Sequence, residues 1–256
     1  MGDTPIDVAY PTAEVPHLRI AVGACRLTAG PHGGEGWVIG NYHDPTDSRP
    51  IKVIEEAGGA SITEAKPTFG RLPAVLGGAS DYDLEIGKER SFALTIETGA
   101  SDFDLDLGGV PLSRLVVKQG AGKFEMDFPQ PNPERMGLLD ITTGAVGLEL
   151  ENLANANFSE MRLSGGAASY DLDFGGTLAY DTLVTIETGV SAMTVSVPAT
   201  TATKVFAETT LGTVDVGDGF TKKEGFFLTK AALGGVGPVL TIRAGIQLGS
   251  LQLRTA

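Results

Sequence analysis

Apolar and polar residues alternate along most of this chain, and the alternation returns at a nearly fixed interval. The phrase Gly78-Ala79-Ser80-Asp81-Tyr82-Asp83-Leu84 recurs as Gly99-Ala100-Ser101-Asp102-Phe103-Asp104-Leu105, 21 residues later. Weaker copies lead from Gly120, Gly144, Gly166, Gly189 and Thr210, and Gly249-Ser250-Leu251-Gln252-Leu253 reads as a final copy. With each lead as position one, position five is Tyr82, Phe103, Phe124, Leu148, Tyr170, Met193 and Val214. Position seven is Leu84, Leu105, Met126, Leu150, Leu172, Val195 and Val216. A period of two with one apolar face predicts a half-buried strand after each lead. A second strand is predicted before it. Val75, Ile96, Val117, Ile141, Leu163, Ile186 and Ala207 stand three residues upstream of the leads. Pro73, Leu94, Leu115, Leu139, Met161, Val184 and Val205 stand five upstream.

Like residues recur within a column. An up-and-down antiparallel sheet does not require that, because neighbouring strands there oppose different columns. A solenoid does, because each column becomes a ladder of stacked equivalents. The prediction is therefore an all-β, single-domain β-solenoid with coils of about 21–24 residues. The lead glycine marks a bend where positive φ or a close approach excludes a Cβ. Seven coils at about 4.8 Å each give a rod of roughly 34 Å.

The ends are less regular. Residues 1–16 read as a flexible N-terminal segment and 17–72 as an N-terminal cap region. Residues 73–256 carry the repeats, interrupted by a capping insertion at 218–238. Leu18 to Leu27 reads as a first coil, 31–50 as loop and short strand, and Ile51 to Ile62 as a degraded coil. Phe220, Phe226, Phe227 and Leu228 are placed to cover the open C-terminal end.

Composition adds exclusions. Thirty-five glycines show no three-residue period, so collagen is excluded. No apolar run is long enough for a membrane span. The start shows no basic and apolar leader, so the compartment is open: the cytoplasm by default, or the envelope if a partner brings the chain there or an anchor lies outside this sequence. One cysteine, Cys25, forms no intrachain disulfide and reads as a small buried hydrophobe. A net charge of −13 argues against nucleic acid as a partner.

That charge has an address. Position six is Asp83, Asp104, Glu125, Glu149, Asp171, Thr194 and Asp215. Position eight is Glu85, Asp106, Asp127, Glu151, Asp173, Ser196 and Gly217. Both columns face outward if positions five and seven face inward. Stacked carboxylates about 5 Å apart repel by about 1 kcal/mol per pair even in water. Three uses compete for such a face: a solvated surface that keeps a sheet soluble, a dock for a basic partner, or a cation site, Ca²⁺ first, at Asp83, Asp104, Glu125, Glu149 and Asp171. As an interaction face it comprises Asp81, Asp83, Glu85, Asp102, Asp104 and Asp106. The Ca²⁺-binding GGxGxD turn is absent.

No cofactor motif and no catalytic motif appears. There is no G-x-S-x-G elbow, no P-loop and no G-x-G-x-x-G before a helix. His17, His32 and His43 are spaced unlike zinc ligands and read as surface histidines of an irregular cap, with a site using Cys25 and Asp44 as the alternative. Trp37 is the sole tryptophan, too little for a carbohydrate platform. The expected function is a non-enzymatic binding or scaffold module, with a protein partner or self-association. A self-assembling structural protein is the first alternative, and a polysaccharide-active enzyme the second.

The segment FALTIETGASDFDLDLGGVPL at 92–112 resembles the bacterial toast-rack family. Its relatives are the putative-adhesin β-solenoids and the C-terminal domain of LiaF-type cell-envelope stress proteins. The phrase LRIAVGACRL at 18–27 is similar to that family's N-terminal module. The resemblance spans roughly residues 17–254. It implies a bacterial β-solenoid linked to the cell envelope or stress response, usually not an enzyme. It supplies no catalytic residue to carry over.

Overall fold

A computed structural model describes residues 3–46, 49–64, 78–235 and 237–256. The repeat sets the architecture. Each regular coil is one long strand: β8 (Phe92–Asp106), β9 (Leu112–Asp127), β10 (Met136–Glu151), β11 (Phe158–Asp173), β12 (Thr182–Val197), β13 (Ala202–Val216) and, last in the chain, β16 (Val239–Thr255). These strands pair in parallel, column on column. Phe103 opposes Phe124, which opposes Leu148, which opposes Tyr170. That register is the solenoid ladder.

The lead position, a glycine in β8 to β12, Thr210 in β13 and Gln247 in β16, divides each strand into two arms but does not break it. Along β8 the buried residues are Phe92, Leu94 and Ile96 before Gly99, then Ser101, Phe103 and Leu105 after it. The buried parity switches at the bend, so both arms turn their apolar side chains into one core. Two separate strands per coil were expected. One bent strand forms instead, because ladder hydrogen bonds continue on both sides of the glycine.

The bend glycines Gly99, Gly120, Gly144, Gly166 and Gly189 have no positive φ. What excludes a side chain there is close approach, not handedness. A Cβ on Gly144 would lie 2.2 Å from the Gly120 carbonyl oxygen. Beside them runs a polar column, Thr98, Gln119, Thr143 and Thr188, which satisfies the corner. Thr98 Oγ1 lies 2.7 Å from Ser101 Oγ and Thr188 Oγ1 lies 2.8 Å from Ser191 Oγ. Gln119 Nε2 donates to the carbonyls of Ser101 at 2.6 Å and Lys123 at 3.1 Å.

Both ends of the stack depart from chain order. At the C-terminal end β16 inserts between β12 and β13. The coil expected last is therefore next to last, and β13 is outermost. Gly249 opposes Ser191 and Gly212, so it occupies position three and not the lead, which falls at Gln247. At the N-terminal end β2 (His17–Val22) and β3 (Cys25–His32) form the two arms of one coil against β8. They lie beneath β6 (Gly59–Glu64) and β7 (Ser80–Gly87), which come later in the chain. Ile62 opposes Ile20, which opposes Ile96, so Ile62 holds that buried column in the outer rung. Val75 and Pro73 lie outside the described residues. Among the described residues the stack has nine rungs, about 38 Å across eight spacings.

The N-terminal cap is more ordered than its sequence implies. Within residues 1–16, expected to be flexible, β1 (Thr4–Val8) pairs antiparallel with β4 (Val38–His43), and Ile6 and Val8 are buried. Arg90 Nη1 donates to the Pro11 carbonyl at 2.6 Å and ties down the chain that follows. Trp37 is fully buried between Tyr10, stacked at 5.9 Å, and Phe92, edge-on at 5.4 Å. β5 (Ile51–Glu56) forms an antiparallel hairpin with β6 in place of the expected degraded coil. Residues 218–238 hold the hairpin β14 (Phe220–Lys223) and β15 (Phe226–Thr229), then the short helix α1 (Lys230–Gly234). Phe220 and Phe227 pack on the core as expected. Phe226 instead lies outside, 5.7 Å from Phe206.

Asparagines on the turn side were not singled out from the sequence. Asn132 is buried and bridges rungs: Leu112 N donates to its Oδ1 at 3.2 Å, and its Nδ2 donates to the carbonyls of Leu112 at 2.9 Å and Ala156 at 3.2 Å. Asn155 repeats the device, donating to the Phe128 carbonyl at 2.9 Å and accepting from Thr177 N at 3.0 Å.

Candidate functional site

Past the bend, alternate residues of each strand face solvent, and on β8 to β11 these are mostly carboxylates. Asp104, Glu125, Glu149 and Asp171 oppose one another in sequence along four adjacent strands. Two residues further, Asp106 opposes Asp127, which opposes Glu151, and Asp173 ends β11 on the same face. Eight carboxylates thus occupy two neighbouring columns. A groove of about 460 Å³ runs beside them, floored by Gly147, Ser169, Ala192 and Ser250. Small residues at position four leave it open, and Glu149 and Asp171 form one wall.

Not all of the expected face is contiguous. β3 separates β7 from β8, so Thr28 stands between Asp83 and Asp104. Gly30 opposes Glu85 on the same inserted strand. Arg26 stands between Asp81 and Asp102 and pairs with Asp81 at 3.1 Å. Lys123 pairs with Glu125, and its backbone N donates to Asp102 Oδ1 at 3.2 Å. The continuous acidic surface therefore centres on β8 to β11, not on Asp81, Asp83 and Glu85.

The electrostatics match this crowding. Partial desolvation of this exposed residue, then the charges of Asp127, Glu149, Asp173 and Asp171, push the Glu151 carboxyl above its ordinary value. On the other arm the opposite holds. Lys118 at 3.1 Å and Arg19 at 2.5 Å hydrogen-bond the Glu97 carboxylate and hold it below the usual range. Among the described residues no three His, Cys, Asp or Glu side chains converge as metal ligands would. Asp83, Asp104, Glu125, Glu149 and Asp171 form a line, not a cage.

The remaining candidates hold other places in the fold. Cys25 is buried, and that burial pushes its thiol up to about 12, far from a nucleophile. His17 lies beside Thr95 at 2.9 Å and His43 beside Asp3 at 3.1 Å. His32 is buried, not a surface residue, and its Nδ1 accepts from Gly34 N at 2.9 Å. Asp44 is buried and caps its own loop, accepting from Thr46 N at 3.0 Å and Arg49 N at 2.6 Å. Among the described residues no helix is long and apolar enough to cross a membrane.

A bent parallel stack closed by an antiparallel N-terminal cap, with outward acidic ladders, defines an open β-solenoid of the toast-rack class. Residues 3–138 match the N-terminal domain of toast_rack, DUF2154, and the chain belongs to that family. Its fold is shared by a putative cell adhesion protein from Clostridium sporogenes, at 15% identity and TM-score 0.50, covering 100% of this chain and 99% of that one. A putative adhesin from Bacteroides fragilis matches at 7% identity and TM-score 0.37, covering 99% and 97%. A protein from Parabacteroides distasonis, described as a putative lipid binding protein, matches at 10% identity and TM-score 0.33, covering 100% and 96%. No match was found among curated proteins.

Proposed function

We propose that this chain is a non-enzymatic binding module whose acidic face docks a basic protein segment, in a bacterial envelope or stress-response setting as its family membership suggests. The observation that carries the reading is the pair of carboxylate columns on β8 to β11. Solvated faces more often carry interspersed charge of both signs. Eight like charges on four adjacent strands cost stability, and a Lys- and Arg-rich partner relieves that cost while gaining a fast, steered approach. The test compares the native chain with Glu125→Lys/Glu149→Lys/Asp171→Lys in cross-linked pull-downs from native cells. A shared partner lost from the variant supports the docking face. Identical partner sets overturn it. For the cation alternative, a thermal shift with Ca²⁺ but not Mg²⁺ at equal ionic strength is the required result.

Self-association is the second reading, and one feature favours it. β15 covers only Lys204 and Val205 of β13, which leaves the outer edge of β13 from Phe206 to Val216 without a strand partner among the described residues. An uncovered edge is a template for another copy. A monodisperse monomer at high concentration by light scattering rejects this reading.

A further inference from the structure

A second cleft, of about 470 Å³, lies at the C-terminal end of the stack on the arm opposite the acidic face. It is lined by Lys204, Lys223, Arg243, Phe226, Leu228 and Leu233. Lys204 opposes Thr241 and Arg243 opposes Phe206, so these two cations are diagonal neighbours on β13 and β16. Lys223 ends β14, and α1 supplies Leu233.

Positive charge and exposed apolar surface meet in this cleft. The chain carries 32 acidic and only 19 basic residues, yet three cations gather here. Among the described residues, the ion pairs of Lys and Arg are made by Arg19, Arg26, Lys118, Lys123 and Arg162, and by none of these three. Among the described residues the single carboxylate on the lining is Glu224. Against the positive rim stands an apolar wall: Leu233 is 46% exposed, and Phe226 and Leu228 are only partly covered.

We propose that this cleft binds an anionic amphiphile, a carboxylate or phosphate head joined to an acyl chain. The head seats against Arg243, whose planar fork matches a carboxylate or phosphate edge, with Lys204 and Lys223 as flanking point charges. The chain lies on Phe226, Leu228 and Leu233. The volume suits such a ligand, since small-molecule sites span about 300–1,000 Å³. A simple anion leaves the apolar wall wet, and a neutral chain leaves three cations unpaired. Each half alone therefore binds more weakly than the whole.

The same chemistry comes from a free fatty acid or from an acidic lipid in a bilayer, and two experimental arms separate them. Dodecanoate below its micelle concentration is titrated into the full chain by calorimetry, beside dodecanol and acetate. Vesicles of phosphatidylglycerol or phosphatidylcholine are tested by co-sedimentation. One saturable dodecanoate site is expected, at least about tenfold tighter than either half-ligand. Lys204→Glu/Arg243→Glu should weaken it about tenfold or more, with unchanged far-UV circular dichroism because both side chains point to solvent. Leu233→Ser, on the exposed helix, should weaken dodecanoate and leave acetate unchanged. Dodecanoate binding without vesicle binding assigns the free amphiphile. Co-sedimentation with phosphatidylglycerol alone assigns the bilayer lipid. No binding in either arm, or binding that survives the double charge reversal, overturns the proposal. The acidic face stands or falls separately.

Discussion

Gly144 packs so closely on Gly120 that a Cβ on the first would sit 2.2 Å from the carbonyl oxygen of the second. Backbone fills the space a methyl group would need, so a substitution must open the corner or break the ladder. Gly144→Ala should destabilise the fold by about 2 kcal/mol or more, in the range of overpacked positions. Gly30→Ala is the matched control. Nothing lies within 4 Å of a Cβ there and φ is unstrained, so its change should stay within about 0.5 kcal/mol. Urea melts of both variants decide it. Equal losses would show that the close approach to the Gly120 carbonyl does not set the cost at Gly144.

The turn side is held by a different device. Asn132 uses both ends of its amide, with hydrogen bonds to Leu112 N, Leu112 O and Ala156 O, and it is 2% exposed. Replacing it with Ala removes a donor from the Leu112 and Ala156 carbonyls and leaves Leu112 N only its bond to the Val110 carbonyl at 2.9 Å, and a buried group left unpaired costs about 1–3 kcal/mol. Asn132→Ala should therefore cost at least as much as an aliphatic truncation in the core. Amide exchange should accelerate at Leu112 before it does at mid-strand sites. A stability loss with no local change in exchange would contradict the bridging role.

The aromatic ladder gives a third expectation. Phe103 and Phe124 meet edge to face at 5.3 Å between ring centres, and both are buried. Phe124→Ala should cost about 3–5 kcal/mol from lost burial and the cavity left behind. Phe124→Leu, which matches Leu148 in the next rung, should cost far less. Equal destabilisation by the two variants would mean that ring shape, not volume, fills that layer.

The columns were legible because register in a parallel stack is fixed by the pleat. Tyr82, Phe103 and Phe124 recur at one position only if that position is one face. The order of rungs was not legible. β16 carries the same alternation wherever it inserts, and its place between β12 and β13 depends on contacts distant in sequence. The same physics hid the break in the acidic face. Asp83 and Asp104 are adjacent in the repeat, but β3 brings Thr28 between them. Gly249 misled because a position-three glycine and a lead glycine look alike in sequence. Its register opposite Ser191 and Gly212 is what distinguishes it. Asn132 and Asn155 left one faint signal, a shared place near the turns of successive coils, which the strand alternation overshadowed.

Two carboxylates should respond to pH in opposite directions. Hydrogen bonds from Lys118 and Arg19 hold Glu97 below its ordinary value. Its folded pKa lies under the unfolded one, so its stabilisation is present above the ordinary carboxylate range and is lost as pH falls through the folded value. Partial desolvation and neighbouring carboxylates raise Glu151. Its contribution is full below the unfolded value and is lost as pH rises through the folded one. At neutral pH, Glu97→Gln should lower the Tm and Glu151→Gln should raise it. Both differences should shrink on acidification, as the native side chains become neutral like their replacements. Added salt should reduce the Glu151→Gln gain, because repulsion between exposed carboxylates is screened over a Debye length of about 10 Å at 0.1 M. Thermal melts from about pH 3 to about pH 8 for the three chains are the check. A Glu151→Gln variant that is less stable than the native chain at neutral pH would mean that the acidic columns are not under mutual repulsion, and it would remove the energetic argument for a basic partner.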